Sequence, residues 1–523
     1  MAATIDSDTL RGYWRQRREI ALFDLRDEGP YSEAHPFFAV SLPFGQIESR
    51  IEALAPRKNA PIVVYDDGEG LVRRGAERIE ALGYSDVRIL DGGLAAYARR
   101  GEVFRDVNVP SKAFGELVES IRHTPSLSAE EAKAILDTRE DVVVLDARRF
   151  EEYRTMSVPR GVSVPGAELA LRVHDLAPSP DTLVIVNCAG RTRSIIGAQS
   201  LVNAGIPNAV AALRNGTIGW TLAGLALDHG RTERFGALSG EGREKARARA
   251  RAWADTVGVG VVDKAALDRF RAERDARTLY CLDVRTPEEF QAGHPAGFVS
   301  APGGQLVQAT DEWVAVRGAR IVLFDDDGVR ARMTASWLVQ MGWQAFVVED
   351  ERLALDERGA AGPVRCAPRD AGAAAIAPAG AARLGGAFVD LSPSPVYRKG
   401  HAPGAWFVSC SRLKGDLASV PGDGPLILFS SDGALAADNL ADVRAATVRP
   451  VHVVAGGLAA WVEAGFPIET ESFNWASEPN DVYKRPYEGT DNARAAMQAY
   501  IDWELQLVAQ LANDGVSDFH VVR

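Results

Sequence analysis

Apolar positions recur along the chain in short runs rich in Val, Ile and Leu that end on Asp. ALFDLR, VVVLDAR, TLYCLDVR and AFVDLS place Asp24, Asp146, Asp283 and Asp390 in equivalent positions. A second set of runs leads into polar loops: IVVYDDGEG, VIVNCAGRTRS, IVLFDDDGVR and LILFSSDGA. From each Asp to the first loop residue the separations are 42, 42, 42 and 40 residues, so the chain holds four copies of one unit. Helical stretches follow the loops (GAERIEALGY, GAQSLVNAGI, TASWLVQMGW, ADNLADVRAATV), the first three closing with a Gly. A third strand and a turn come next as VRILDGGLAAY, AVAALRNGTIGW and VHVVAGGLAAW; copy three reads AFVVEDERLAL and lacks the turn. Short Val/Ile strands alternating with helical segments predict an α/β fold, each copy a mainly parallel sheet flanked by helices.

Breaks are read at VNVPSKAFGE, at GALSGEGREKARARARAWAD and at the Ala/Pro/Gly tract 360–382. The expected domains are therefore 1–115, 116–238, 239–362 and 363–470, followed by a tail, 471–523, without a repeat partner. GREKARARARAW, strong in helix formers and in spread charge, predicts a solvated connector helix. The tail begins turn-rich, and its ARAAMQAYIDWELQLVAQL carries apolar residues at helical spacing, which predicts a helix docked on the body.

Composition narrows the function. A chain of 523 residues with 46% hydrophobic and 25% charged residues is that of a soluble, multidomain enzyme. A net charge of −12 argues against a general nucleic-acid or anionic-membrane binder, so any anion site must be local. The apolar runs fall far short of the roughly 20 residues that span a bilayer. The first 25 residues show no signal core, which makes the cytosol the expected compartment. Four Cys at irregular spacings, none in a Cys-x-x-Cys pair, indicate neither a disulfide framework nor a zinc cage.

The repeats supply an internal control: what all copies share reads as scaffold, and what one copy alone carries is a candidate for chemistry. The pairs Asp24/Arg26, Asp146/Arg148 and Asp283/Arg285 recur irrespective of a Cys and read as structural ion pairs. At the head of the strand-to-helix loop stand Asp66, Cys188, Asp325 and Ser430, a single sulfur nucleophile among them. Cys188 opens the loop Cys188-Ala189-Gly190-Arg191-Thr192-Arg193-Ser194 between a buried strand and a helix expected to start near Ser194. Such a position brings unpaired N–H groups and the positive end of a helix to bear on the sulfur. With Arg191 and Arg193 beside it, the thiol is expected to ionise easily. Gly190 lets the backbone curl so that successive N–H groups converge. Thr192 and Ser194 could donate to a bound oxyanion, and Ser194 could equally cap the helix. Cys281 and Cys410, in apparent strands, read as buried hydrophobes, and Cys366 as incidental in a linker. Lys484 and Arg485 could approach the site or be surface charge. Trp220, at the repeat position of Tyr97 and Trp461, reads as core.

These residues resemble the rhodanese family: LDARRFEEY with the later VSVPGAEL, the CAGRTRS loop, the NGTIGW turn, and in copies three and four LDVRTPEEFQAGHPAG and RKGHAPGA. The likeness covers about 470 residues as four tandem rhodanese-like domains and leaves the C-terminal tail outside. It implies a thiosulfate sulfurtransferase in which Cys188 takes sulfane sulfur as a persulfide, releases sulfite and passes the sulfur to cyanide or a thiol. The loop N–H groups of Ala189 to Arg193 would hold the persulfide, Arg191 and Arg193 would neutralise the anions, and neither cofactor nor metal is called for. Copy two departs from the family at Met156-Ser157-Val158-Pro159, where Gly-His-x-Pro is more usual, which leaves the entrance near that loop open. The copies headed by Asp66, Asp325 and Ser430 are expected to be silent. Two alternatives stand: a nonenzymatic persulfide carrier or sensor with interaction modules, and a cysteine phosphatase or arsenate reductase. The second needs Arg six residues after the Cys, where this chain has Ser194. Physiological donor and acceptor and oligomeric state are not legible.

Overall fold

The computed structural model describes residues 3–360, 366, 369–485, 488, 490 and 492–523. Among the described residues the backbone builds four large sheets, of five, five, five and six strands, one for each repeat, and a two-stranded antiparallel pair of His35–Pro36 with Val103–Phe104. In copy two the order across the sheet is Gly161–Ser163, Val142–Asp146, Leu183–Asn187, Val210–Leu213 and Ser126–Leu127, with every neighbouring pair parallel. The two central strands are the apolar runs of the sequence, VVVLD and LVIVN, buried along most of their length because helices cover both faces. Their register sets Asn187 opposite Asp146, so the residue before Cys188 lies against the Asp that closes the first strand. The α/β class and the parallel sheets are as expected. The outer strands, two to three residues long in this copy, carry no periodicity that could announce them.

The chain separates into two compact units that interleave the repeats: one gathers copy four and most of copy one, the other copies two and three with Arg11–Ile20 and the C-terminal helices. The division after copy one falls between Val107 and Asn108. The break therefore falls inside VNVPSKAFGE, after its first residue, and the rest of that stretch is not linker. It forms the start of a helix, Val109–Arg122, entered through a left-handed Asn108 (φ 56°) with Pro110 in the first turn, where its missing N–H costs nothing. That helix packs on the helix Thr192–Asn203, so a boundary at 115/116 would cut it in two. The boundary at 362/363 lies outside the described residues.

The connector helix exists as Gly240–Val257, but it is not solvated all round. Ala246, Ala250, Trp253 and Ala254 are buried, the helix packs on Glu168–Leu176 and Arg330–Gln340, and Trp253 Nε1 donates to Ser336 Oγ at 3.1 Å. Alanines at four-residue spacing let this arginine-rich helix approach its neighbours closely on one face. The tail also divides. Asn474–Trp475 adds a strand to the fourth sheet beside Trp406–Phe407, where Phe473 and Trp475 surround Tyr397. The single helix expected from the apolar spacing is two, Ala493–Glu504 and Leu507–Asp514, separated by a turn at 505–506, and both pack on Val109–Arg122 in the other unit. Among the described residues no helix is long and apolar enough to cross a membrane.

Candidate active site

Cys188 follows directly on the strand Leu183–Asn187, and the helix Thr192–Asn203 begins four residues later. The sulfur thus sits beyond the carboxyl end of a central strand and before a helix of three turns, where ligands of parallel α/β sheets collect. The helix starts at Thr192 with Arg191 at the cap position, so Ser194 does not cap it. Ser194 lies inside the first turn, and its hydroxyl donates to the Arg191 carbonyl at 2.8 Å.

The Cys-less copies show what this cradle binds. In copy three the Asp325 carboxylate folds back into its own loop and accepts from the N–H of Gly328 (3.2 Å), Val329 (2.9 Å) and Ala331 (3.0 Å). In copy one Asp66 accepts from Gly68 (3.2 Å) and Leu71 (2.7 Å). In copy four the Ser430 hydroxyl oxygen accepts from Ala436 at 3.2 Å. Converging N–H groups at a helix N-terminus form an anion nest. Copies one and three fill it with a carboxyl group, which in Asp325 burial and the neighbouring Asp327 push toward the neutral form, and copy two places a sulfur there. Ser194, six residues beyond Cys188 as Ala331 is beyond Asp325, pulls the thiol pKa down.

The turn after the third strand holds this loop from behind. Thr217 and Ile218 donate their N–H groups to the carbonyls of Cys188 and Ala189, each at 2.9 Å. Gly216 (φ +52°) makes that approach possible, since a Cβ there would lie 2.2 Å from the Cys188 carbonyl oxygen. Gly93 and Gly457 stand in the same relation to Asp66 and Ser430. Trp220 in this turn is fully buried in the copy-two core, with Nε1 donating to the Ala226 carbonyl at 2.9 Å. It is a core residue.

The recurring Asp-x-Arg pairs are ion pairs in all three copies, Arg26–Asp24 at 2.6 Å and Arg148–Asp146 and Arg285–Asp283 at 2.7 Å, all buried. Each Arg also donates to a carbonyl eight residues on, at Ala34, Met156 and Gly293. Copy two adds Asn187, whose Nδ2 donates to Asp146 at 2.9 Å. At the departure from the usual motif, copies one, three and four stack a buried His on an aromatic ring (Tyr31–His35, Phe290–His294, Tyr397–His401). Copy two has a fully buried Ser157 there. The departure thus alters interior packing.

Charge around the sulfur differs from expectation. Arg193 is gripped in bidentate fashion by Glu152 (2.7 and 3.0 Å), whose own pKa is pulled down to about 2. Arg191 turns to the helix Val109–Arg122, pairing with Glu116 (2.7 and 2.8 Å) and Glu119, and reaches Asn215 at 3.1 Å. Neither guanidinium stands over the sulfur as an uncompensated charge. Cys188 is 1% exposed, and this burial raises its pKa above the ordinary thiol value, against a downward pull from Arg193, from Ser194 and from Arg148. An easily ionised thiol is therefore not what this conformation holds: desolvation of the thiolate outweighs cations already neutralised by glutamates.

Thr192 lays its methyl on the helix Val109–Arg122, where a Cβ at Gly115 would come within 2.9 Å of Cγ2. Gly190 does not adopt a left-handed conformation; its lack of a side chain leaves room for the tail, since a Cβ would sit 3.4 Å from Glu504 Oε2 and 3.6 Å from Tyr500. Arg485 reaches Glu152 at 3.5 Å, while Lys484 donates to the Pro479 carbonyl at 3.1 Å. Glu116, Glu119, Glu152, Tyr500 and Glu504 were not singled out from the sequence. The other thiols are poor nucleophiles: burial pushes Cys281 up to about 11, Cys410 is raised by burial in a turn rather than a strand, and half-buried Cys366 is raised beside Glu52.

Comparison with known proteins agrees with this architecture. The family model for the rhodanese-like domain matches residues 12–100, 128–223, 266–350 and 376–464. The crystal structure of a thiosulfate sulfurtransferase from Pseudomonas aeruginosa is 54% identical, with a TM-score of 0.96 and 100% of each chain covered. A thiosulfate sulfurtransferase of Azotobacter vinelandii is 27% identical over 216 residues, which is 34% of this chain and 79% of the relative. A putative sulfur carrier protein of Bacillus subtilis is 28% identical over 102 residues, 19% of this chain and 54% of the relative. The chain belongs to the rhodanese family, with four rhodanese-like domains in tandem.

Proposed function

We propose that Cys188 carries sulfane sulfur from thiosulfate to a thiophilic acceptor, cyanide or a thiol, through a persulfide. The chain is a sulfurtransferase enzyme of the rhodanese type. The Cys188 thiolate attacks the outer sulfur of thiosulfate; a Cys188 Sγ–S bond forms, the S–S bond of thiosulfate breaks, and sulfite leaves with the electron pair. The terminal sulfur then accepts attack by the acceptor, which departs as thiocyanate or a persulfide and restores the thiolate. The observation that carries this reading is the loop: where copies one and three turn a carboxyl group onto N–H groups at the start of the helix, copy two carries a sulfur at the same repeat position. The N–H groups of Ala189, Gly190, Arg191, Thr192, Arg193 and Ser194 form the anion cradle, and Arg193 is the nearby cation acting on the sulfur. Arg191 contributes by fixing the loop through Glu116.

Steady-state production of thiocyanate from thiosulfate and cyanide tests the reading, with Cys188→Ser alongside. Many turnovers per chain in the parent and none in the variant are expected. A single sulfur accepted without turnover would make the chain a carrier, and turnover in the variant would remove Cys188 from the reaction. A phosphatase reading has no support in the geometry, because Ser194 stands where the oxyanion-binding Arg would be needed.

A further inference from the structure

The residue that leads into Cys188 sets copy two apart. Copies one, three and four end the strand before the loop on an aromatic residue, Tyr65, Phe324 and Phe429, whereas copy two ends it on Asn187. In copies one and three the recurring arginine lies over that ring, Arg26 at 5.9 Å from the centre of Tyr65 and Arg285 at 5.0 Å from that of Phe324. In copy two an amide takes the place of the ring. Asn187 is fully buried, its Nδ2 donates to Asp146 Oδ2 at 2.9 Å, and the same oxygen accepts from Arg148 Nη2 at 2.7 Å. Arg148 Nε donates to the other carboxylate oxygen at 2.8 Å. Asn187 Oδ1 finds no donor among the described residues. A buried amide oxygen in that state costs stability that a ring would not. The chain bears this cost only in the copy that carries the sulfur.

We propose that Asn187 is a positioning residue for sulfur transfer: its amide fastens the residue before the nucleophile to the Asp146–Arg148 ion pair and takes up part of the Asp146 charge, so that the pair favours an anionic sulfur at Cys188. The inference rests on the reading of Cys188 as nucleophile. A carboxylate that accepts from an amide as well as from a guanidinium carries less unbalanced charge, and the guanidinium then counts for more at the sulfur. Arg148 is one of the groups that pull the thiol toward its anion. The other arginines of the loop are engaged elsewhere, Arg193 with Glu152 and Arg191 with Glu116 and Glu119. Asn187 acts through Asp146 and Arg148 and not by contact with the reacting atoms. An ion pair that is scaffold in three copies is thereby turned to chemistry in one.

The test uses the full chain and follows the ultraviolet absorbance of the thiolate against pH, as the difference between each chain and its Cys188→Ser counterpart, alongside kcat for thiocyanate formation. Asn187→Leu removes the amide at similar size, and Asn187→Phe brings in the ring that copies three and four carry at this position. In both, the midpoint of Cys188 ionisation is expected to rise by about one pH unit and kcat at neutral pH to fall about tenfold. The sign separates this role from a structural one. Burial already holds the thiol above its ordinary value, so a substitution that merely loosens the site would bring the midpoint down toward about 8.5. A midpoint that falls or stays in a folded variant overturns the proposal, as does a raised midpoint without loss of kcat. Those results, in a parent that forms thiocyanate through Cys188, sink only the role of Asn187. A parent without turnover, or turnover that survives Cys188→Ser, sinks the nucleophile reading and this inference with it.

Discussion

The Ala331 N–H donates to the Asp325 carboxylate across six residues of loop at 3.0 Å, and the same six-residue step leads from Cys188 to Ser194. The repeat thus contains a model of its own liganded state: an acidic oxygen in copy three rests where copy two is to hold an anionic sulfur. Removing that carboxylate leaves buried N–H groups without acceptors, which costs about 1–3 kcal/mol. Asp325→Ala should lower stability by that order in chemical denaturation. Cys188→Asp should be at least as stable as Cys188→Ala while inactive. A Cys188→Asp chain less stable than Cys188→Ala would show that the copy-two loop does not form the nest.

Burial holds the Cys188 thiol above its ordinary pKa, so the fold favours the neutral form. The sign follows: this contribution to stability is complete below the unfolded pKa, near 8.5, and is lost as pH rises through the higher folded value. Alkylation of Cys188 by iodoacetamide should accordingly still be climbing at about pH 9. A plateau reached below pH 7 would show a pre-ionised thiol and contradict the burial.

Glu152 and Arg193 should show the opposite pH dependence. The folded Glu152 carboxyl lies at about 2, below its ordinary 4.5. Its stabilisation is present above the ordinary value and fades as pH falls toward 2, amounting to no more than about 3 kcal/mol. Glu152→Gln should flatten the acid limb of the stability curve measured by thermal melting. It also releases Arg193 toward the sulfur, so the Cys188 alkylation rate at neutral pH should increase several-fold, whereas Arg193→Gln should reduce it.

Gly216→Ala should damage the site through the backbone alone. The added methyl would meet the Cys188 carbonyl at 2.2 Å in a left-handed conformation. A loss of kcat of about a hundredfold is expected, since misplacing reacting atoms by an ångström has effects of that order. Gly457→Ala makes the equivalent collision with Ser430 and should reduce stability while leaving turnover per folded chain intact. Equal loss of turnover in both variants would assign catalysis to more than one copy.

The fold was legible where a local pattern repeats. The strand ending in Asp146, the 42-residue step to Cys188 and the Gly216 turn could be found because each recurs with its neighbours in sequence. The helix Val109–Arg122 was obscured by a Pro that suits a loop as well as a first helical turn. The outer strands were too short to show alternation. The loop itself was readable, but the state of its charges was not. Arg191 finds Glu116 75 residues away, Arg193 finds Glu152 at 41, and Glu504 arrives from the far end of the chain. Burial raises the thiol pKa that loop composition alone would lower. The one hint in the tail was the apolar spacing of the helix that delivers Glu504.

The central claim concerns one sulfur atom. Intact-mass measurement of the full chain after brief exposure to thiosulfate, followed by peptide mapping, should show one added sulfur at Cys188 and none in Cys188→Ser. Sulfur that persists in the variant, or that maps to Cys281, Cys366 or Cys410, would contradict the account.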